Sequence, residues 1–358
     1  VTTTIEWTDA TWNPIVGCSR VSKGCEHCYA ERVAHRGMSA QHRGLTVMGK
    51  HGPRWNGTVR FVAEKLSEPL GWRKPRRVFV NSMSDLFHEG VTDEQIAAVF
   101  GAMAACPQHT FQVLTKRPER AKAWFQWVSA FRSIQPRWPL PNVWLGVSVE
   151  DQATADDRIP LMLETPAAVR WVSYEPALGP VDFGRWLCRH TEVGPAGVCV
   201  KCKAIERDEG SPYLPPRLDW IVIGGESGPG ARPFDLAWAR STVEACRAAG
   251  VPCFVKQLGA RPMLSAAAPC VEQSAESIAR HGEYDPDPIE YDLRDRKGKD
   301  PSEWPEDLRV REWPPGVEPL VEAANRAAEE RAAAERRARD ARVEAANAIV
   351  REMPEAAS

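Results

Sequence analysis

Residues 109–131 read HTFQVLTKRPERAKAWFQWVSAF. The stretch begins β-prone and largely apolar, stops at Lys116 and Arg117, and continues from residue 117 in a helical pattern. A strand that ends in charged residues and leads straight into a helix is one β–α unit.

The same form recurs along the chain. RRVFVNSMSDLF ends at the polar run Ser82 to Asp85, NVWLGVSVEDQ at Glu150 and Asp151, and VRWVSYEPALGP at Glu175. LDWIVIGGESGPGARP ends at Glu226 and VPCFVKQLG at Lys256. Short apolar runs of this kind suit strands buried on both faces. Further helices are expected over 92–106, opened by Thr92 with acidic and amide residues in its first turn, and over 235–250, from an Asp235 N-cap to a stop at Gly250. Six or seven such units over residues 1–262 predict an α/β fold, a complete or partial (β/α) barrel, with a doubly wound open sheet as the alternative. The barrel is preferred because nearly every strand ends in polar groups. In a barrel these ends share one face, whereas an open sheet gathers such groups at one switch point.

Residues 186–217 break the rhythm with Gly and Pro and read as an insert within the barrel domain. Residues 263–315 read as a loop-rich extension. The Ala-, Glu- and Arg-rich stretch 316–358 reads as a charged helical tail, a possible contact for a protein partner, without the sustained apolar heptad of a coiled coil. The net charge of −2 over 358 residues excludes a global field that would draw in nucleic acid or membrane, leaving only local basic runs for that role. The opening VTTTIEWTDATWNP lacks a basic start followed by an apolar run, and no apolar stretch approaches the ~20 residues of a membrane span. The expectation is a cytoplasmic protein with no membrane contact and reduced thiols.

That expectation bears on NPIVGCSRVSKGCEHCYAERVAHRG (13–37), which holds Cys18, Cys25 and Cys28 in a C-x6-C-x2-C spacing. A disulfide is disfavoured by compartment and by the odd count. Structural zinc needs a fourth ligand, for which His27, His35, His42 and His51 are the nearby candidates. A 4Fe–4S cluster held by three thiolates needs none, and leaves one iron open for a cofactor. Cys188, His190, Cys199 and Cys202 in the insert form a second set, C-x-H-x8-C-x2-C, whose four ligands suit tetrahedral zinc. At the strand ends, Glu175 and Glu226 close otherwise apolar runs, so each needs a partner or a chemical role, with Lys256 available to either. The glycine-rich 224–233 run is not G-x-G-x-x-G and reads as tight-turn chemistry as readily as a ligand loop.

The runs TIEWTDATWNPIVGCSRVSKGCEHCYAE, SMSDLFHE, LTKRPER, WLGVSVE, SYEPALGP, GGESGPGARP and LRVREWP together resemble an uncharacterised three-cysteine family found in phages, prophages and bacteria, itself similar to radical S-adenosylmethionine enzymes. The resemblance spans most of residues 1–315. It implies a 4Fe–4S cluster on Cys18, Cys25 and Cys28, with S-adenosylmethionine on the open iron and an electron donor as partner. The usual spacing in those enzymes is C-x3-C-x2-C, so the first gap here is longer, and His27 stands where an aromatic residue is usual. The resemblance further implies cofactor contacts from His27, Ser82, Ser84, Asp85, Lys116 and Glu150, with Arg117 facing a carboxylate or phosphate. Glu175, Glu226 and Lys256 are then the candidate catalytic groups. The substrate is left open, nucleic acid or nucleotide being favoured by the phage association. The competing expectation is a zinc-containing nucleic-acid-binding protein without redox catalysis, using GWRKPRRVFV and LTKRPER for phosphate contacts.

Overall fold

A computed structural model describes residues 3–37, 39–129, 138–188, 217–264 and 289–314. Its frame is one sheet of seven strands: β1 (Ala10–Trp12), β2 (Arg77–Val80), β3 (Thr110–Thr115), β4 (Val143–Val149), β5 (Val169–Tyr174), β6 (Trp220–Gly224) and β7 (Cys253–Gln257). Every neighbouring pair is parallel, and the spatial order is the chain order. A doubly wound sheet must reverse its strand order somewhere, so this order rules out the open-sheet alternative. β1 and β7 do not pair with each other, and the sheet curls into a half-barrel flanked by helices.

Two of the helices expected from sequence form with the expected caps. α2 (Asp93–Ala104) opens on a capping box between Thr92 and Gln95. α6 (Leu236–Ala249) begins at Asp235, whose side chain accepts the Ala237 N–H, and ends at Gly250 with φ 61°. α3 (Pro118–Ser129) follows β3 directly, and α4 (Gln152–Leu163) follows β4 through an Asp151–Thr154 capping box. α1 (Tyr29–His35) lies between β1 and β2, and α5 (Gly184–Leu187) is a single turn.

Alternation along the strands sorts the core into two layers. Val147, Val149, Val172, Ile221 and Ile223 face outward and pack with Ile159 and Met162 of α4 and Leu236 and Val243 of α6. The opposite parity places Phe79, Trp144, Trp171, Trp220 and Phe254 together with Trp7 in a second cluster on the inner face. Each such tryptophan removes ~150–250 Å² from water, on the order of 4–6 kcal/mol of gross hydrophobic gain. Gly146 follows Trp144 on the same face, and a Cβ there would stand 2.6 Å from the Trp171 ring, so the aromatic floor fills that space. Nearer the strand ends the same face carries Ser148, Ser173 and Gly224. Large residues thus floor the concave side and small ones leave its mouth less filled.

The segment 289–314 does more than the expected loop-rich extension would. Val255 donates to the Val310 carbonyl (2.8 Å) and Glu312 to the Cys253 carbonyl (2.9 Å), forming an antiparallel contact along the free edge of β7. Trp313 stacks on Trp220 with ring centroids 5.0 Å apart. Covering an edge in this way blocks pairing with other chains. No helix among the described residues is long and apolar enough to cross a membrane.

Candidate functional site

The cysteine loop links β1 to α1 over the C-terminal ends of the strands. Its entry is fixed by Gly17 (φ 94°), where a Cβ would lie 2.2 Å from the Thr58 carbonyl oxygen, so only glycine fits. Lys23–Cys25 form one 3-10 turn, and Cys28 is the N-cap residue of α1. All three cysteines are half-buried, and Cys18 and Cys28 pack against Val16, Ala30, Ala34, Leu45, Trp55 and Met83.

Four anchors hold this loop. Arg20 makes a two-pronged contact with Glu31 (2.8 and 2.6 Å), while Glu31, buried, also accepts the Trp55 N–H at 2.9 Å. The Ser22 hydroxyl donates to Glu150 at 2.9 Å. Arg232 donates to the Lys23 carbonyl and to Glu26, each at 3.0 Å. Arg117 donates to the Ser19 carbonyl (3.2 Å) and hydroxyl (2.8 Å) and points Nη1 at the Cys18 sulfur, 3.8 Å away.

Asp85 is the buried counter-charge behind that last anchor. Its carboxylate accepts from Thr115 Oγ1 (2.7 Å), the Lys116 N–H (2.9 Å), the Phe87 N–H (3.0 Å) and Arg117 Nη1 (3.2 Å). Ser19 completes the network. Gly90 N–H donates to His88 Nδ1, which leaves the proton on Nε2 to donate to the Ser19 hydroxyl at 2.9 Å, and Ser19 donates onward to Glu89. Burial pushes the Cys18 thiol up to about 12, Asp85 adding to the rise and Arg117 opposing it. Burial likewise raises Cys28, against the backbone N–H groups of Glu31 and Ala30. Coordination would convert such protonated thiols to thiolates by supplying the missing positive charge.

The other strand-end residues expected at the site are brought to the same mouth, each with a definite partner. Glu150, 1% exposed, lies against Lys116 Nζ (3.4 Å) and Arg158 (3.2 Å) as well as Ser22. His27 Nδ1 meets Glu226 at 2.9 Å. Arg232 binds Glu226 through its backbone N–H and its guanidinium. Burial alone would raise the Glu226 pKa, but Arg232 and His27 hold it below the ordinary carboxylate value. Lys256 selects Glu175 (2.6 Å), which also accepts from Gln257 at 3.1 Å. The Ser82 hydroxyl donates to Asn13 and the Ser84 hydroxyl to the Ile15 carbonyl, so both tie β2's loop to the strand-1 side. Cys188 is buried beside α5, whereas His190, Cys199 and Cys202, the rest of the expected zinc set, lie outside the described residues, as does the 316–358 tail.

Glu31, Arg158, Arg232, His88 and Ser19 were not singled out from sequence. All but Arg158 lie in the runs quoted above, but only pairing across the fold gives them meaning. Gly24 is a further case. A Cβ there would fall 2.4 Å from Glu150 Oε1, and Glu150 is held by Arg158 and Ser22. Gly24→Ala is therefore expected to displace the loop and to lower stability by about 1–3 kcal/mol, the range for forcing extra atoms into a filled space. Urea denaturation of the variant, with the wild type alongside, measures this.

Among the described residues, no group of three or more His, Cys, Asp and Glu side chains is gathered as a ready single-ion site. The donor set does suit a multi-iron cluster. A cubane gives each thiolate its own iron, and here three thiols line one loop, two of them, Cys18 and Cys28, against an apolar shell, with the Arg117 guanidinium facing the Cys18 sulfur. A groove of about 840 Å³, bordered by Gly228, Ala231, Arg261 and Tyr291, includes none of the three cysteines, and one of its walls is the loop between Glu226 and Arg232.

Fold and site together define an α/β half-barrel protein whose strand-end mouth is capped by a three-cysteine loop. The chain belongs to the family described as protein of unknown function (DUF5131), whose model matches residues 2–336. No curated protein and no solved structure matches it.

Proposed function

We propose that this chain is an iron–sulfur enzyme of the radical S-adenosylmethionine type, its half-barrel a partial TIM-type barrel. Cys18, Cys25 and Cys28 would hold a 4Fe–4S cluster, one iron remaining open to the amino and carboxylate groups of S-adenosylmethionine. The observation that carries this reading is the placement of the three-thiol loop over the mouth of the parallel half-barrel, with Arg117 beside Cys18. When bound, these groups would supply reductive, one-electron cleavage of a carbon–sulfur bond and hydrogen-atom abstraction from substrate, the electron coming from an external donor.

The chain's own residues serve that chemistry in distinct ways. Val16, Trp55 and Met83 keep water from the Cys18 and Cys28 side of the loop. Arg117 sets a fixed positive charge against the thiolate ligand, and Asp85 holds that guanidinium in place. Glu226 and Arg232 orient His27, which borders the last cysteine. Glu175 and Lys256 form the mouth's remaining paired acid and base, able to hold or move a proton near substrate.

Anaerobic purification followed by iron, sulfide and zinc analysis tests the reading. The expected result is brown protein with about four irons and four sulfides per chain. One zinc held by Cys18, Cys25 and Cys28, with no iron taken up on anaerobic reconstitution, would overturn it.

A further inference from the structure

The charge of this chain is unevenly placed. Between Gly17 and Val62 stand eight lysines and arginines but only two acidic residues, Glu26 and Glu31, although the whole chain carries a net −2. Of those eight cations only Arg20 is paired with Glu31. Arg36, Arg43, Lys50 and Arg54 are exposed and form no ion pair with any acidic side chain among the described residues. The lysines and arginines of α3, α4 and α6 that the structure engages, by contrast, meet carboxylates, as Lys122, Arg158 and Arg240 do.

These cations sit on one continuous support. A hairpin, Thr46–Gly49 with Gly52–Trp55, is pinned to α1 by the Trp55–Glu31 bond and by His35 Nδ1 against Thr46 Oγ1 at 3.1 Å. α1 itself starts at Cys28, and Tyr29, 48% exposed, donates its hydroxyl to the Ser82 carbonyl at the end of β2. The surface therefore runs from the cysteine mouth along α1 to the hairpin tip. Val33, Val47 and Met48, the last 66% exposed, stand among the cations. Isolated exposed apolar residues need no explanation, but several set within an uncompensated basic surface do.

We propose that this surface binds a single strand of nucleic acid and leads it to the three-cysteine mouth. Phosphates along a strand would meet the unpaired cations, which is the general source of such affinity. Tyr29 offers an exposed ring on which a base face would stack, with the aliphatic side chains adding apolar contact, and a single strand presents such faces where a duplex hides them. The helix argues against a lipid surface, since α1 has only seven residues, with Ala30, Glu31 and Ala34 turned inward, and lacks the long apolar face that lies in a membrane interface. That the strand is also the substrate rests on the iron–sulfur reading, whereas its binding does not.

The test uses the full chain and labelled oligothymidylate, followed by fluorescence anisotropy over a range of salt. R36Q/K50Q/R54Q changes three exposed, unpaired side chains, so its melting temperature should match the wild type. It should bind at least about tenfold more weakly, and its plot of log affinity against log salt should be shallower by roughly 2, at ~0.7 per lost phosphate contact on a single strand. No binding by the wild type, or equal binding by the variant, would overturn the proposal. So would equal affinity for duplex DNA, for polyglutamate or for phosphatidylglycerol vesicles. Iron content measured on the same samples separates the two readings. Full iron without strand binding removes this proposal alone, and strand binding without iron removes only the cluster.

Discussion

If the proposed cluster sits on Cys18, Cys25 and Cys28, replacing all three with alanine should take iron and sulfide from the proposed complement of about four of each per chain to near zero, with loss of the brown colour. The fold should survive. The seven-strand sheet and its two faces are built without these side chains, which contribute only the rim of a smaller cluster around Val16 and Trp55. Loss of iron with an unchanged far-ultraviolet circular dichroism spectrum is thus the expected pair of results. If the triple variant kept its iron, the metal would belong to other ligands.

Asp85→Ala should have the largest effect on stability. Asp85 and Arg117 are both buried, and removing the carboxylate leaves a guanidinium facing Cys18 and Ser19 without its main counter-charge. It also strips acceptors from Thr115 Oγ1 and the Lys116 N–H. Breaking a buried pair from one side typically costs about 3–5 kcal/mol, because the surviving charge stays desolvated. Replacing both residues, as in D85A/R117M, should cost less than Asp85→Ala alone, since no orphan charge remains. Urea denaturation of the two variants and the wild type decides this. Equal losses would mean that Arg117 finds enough compensation in Glu89, which is largely exposed.

Much of the frame was legible in the sequence because it depends on local signals. Strand 143–149 follows from an unbroken β-prone run, and α2 and α6 follow from their caps at Thr92, Asp235 and Gly250. Whether the barrel closes was not legible. Closure depends on whether β1 and β7 meet, which no local pattern encodes, and the edge of β7 is instead covered by residues 310–312. The site was legible as a set of strand-end polar residues but not as pairs. Lys256 suited Glu175 and Glu226 equally on paper, and the fold joins it to Glu175, 81 positions away. Glu226 takes Arg232 from its own loop and His27 from across the chain. Glu150 illustrates the same limit. Its place at a strand end was legible, but its seat beneath Ser22 and Gly24 against Arg158, where it supports the cysteine loop, was not.

The most direct measurement is to reduce the anaerobically purified, iron-loaded protein, add S-adenosylmethionine, and follow both the electron paramagnetic resonance spectrum and the small-molecule products. The account predicts that the cofactor perturbs the spectrum of the reduced cluster and that 5′-deoxyadenosine and methionine are released, neither occurring with the C18A/C25A/C28A variant. An iron-loaded protein whose spectrum ignores S-adenosylmethionine, and which releases no 5′-deoxyadenosine under reduction, would contradict it.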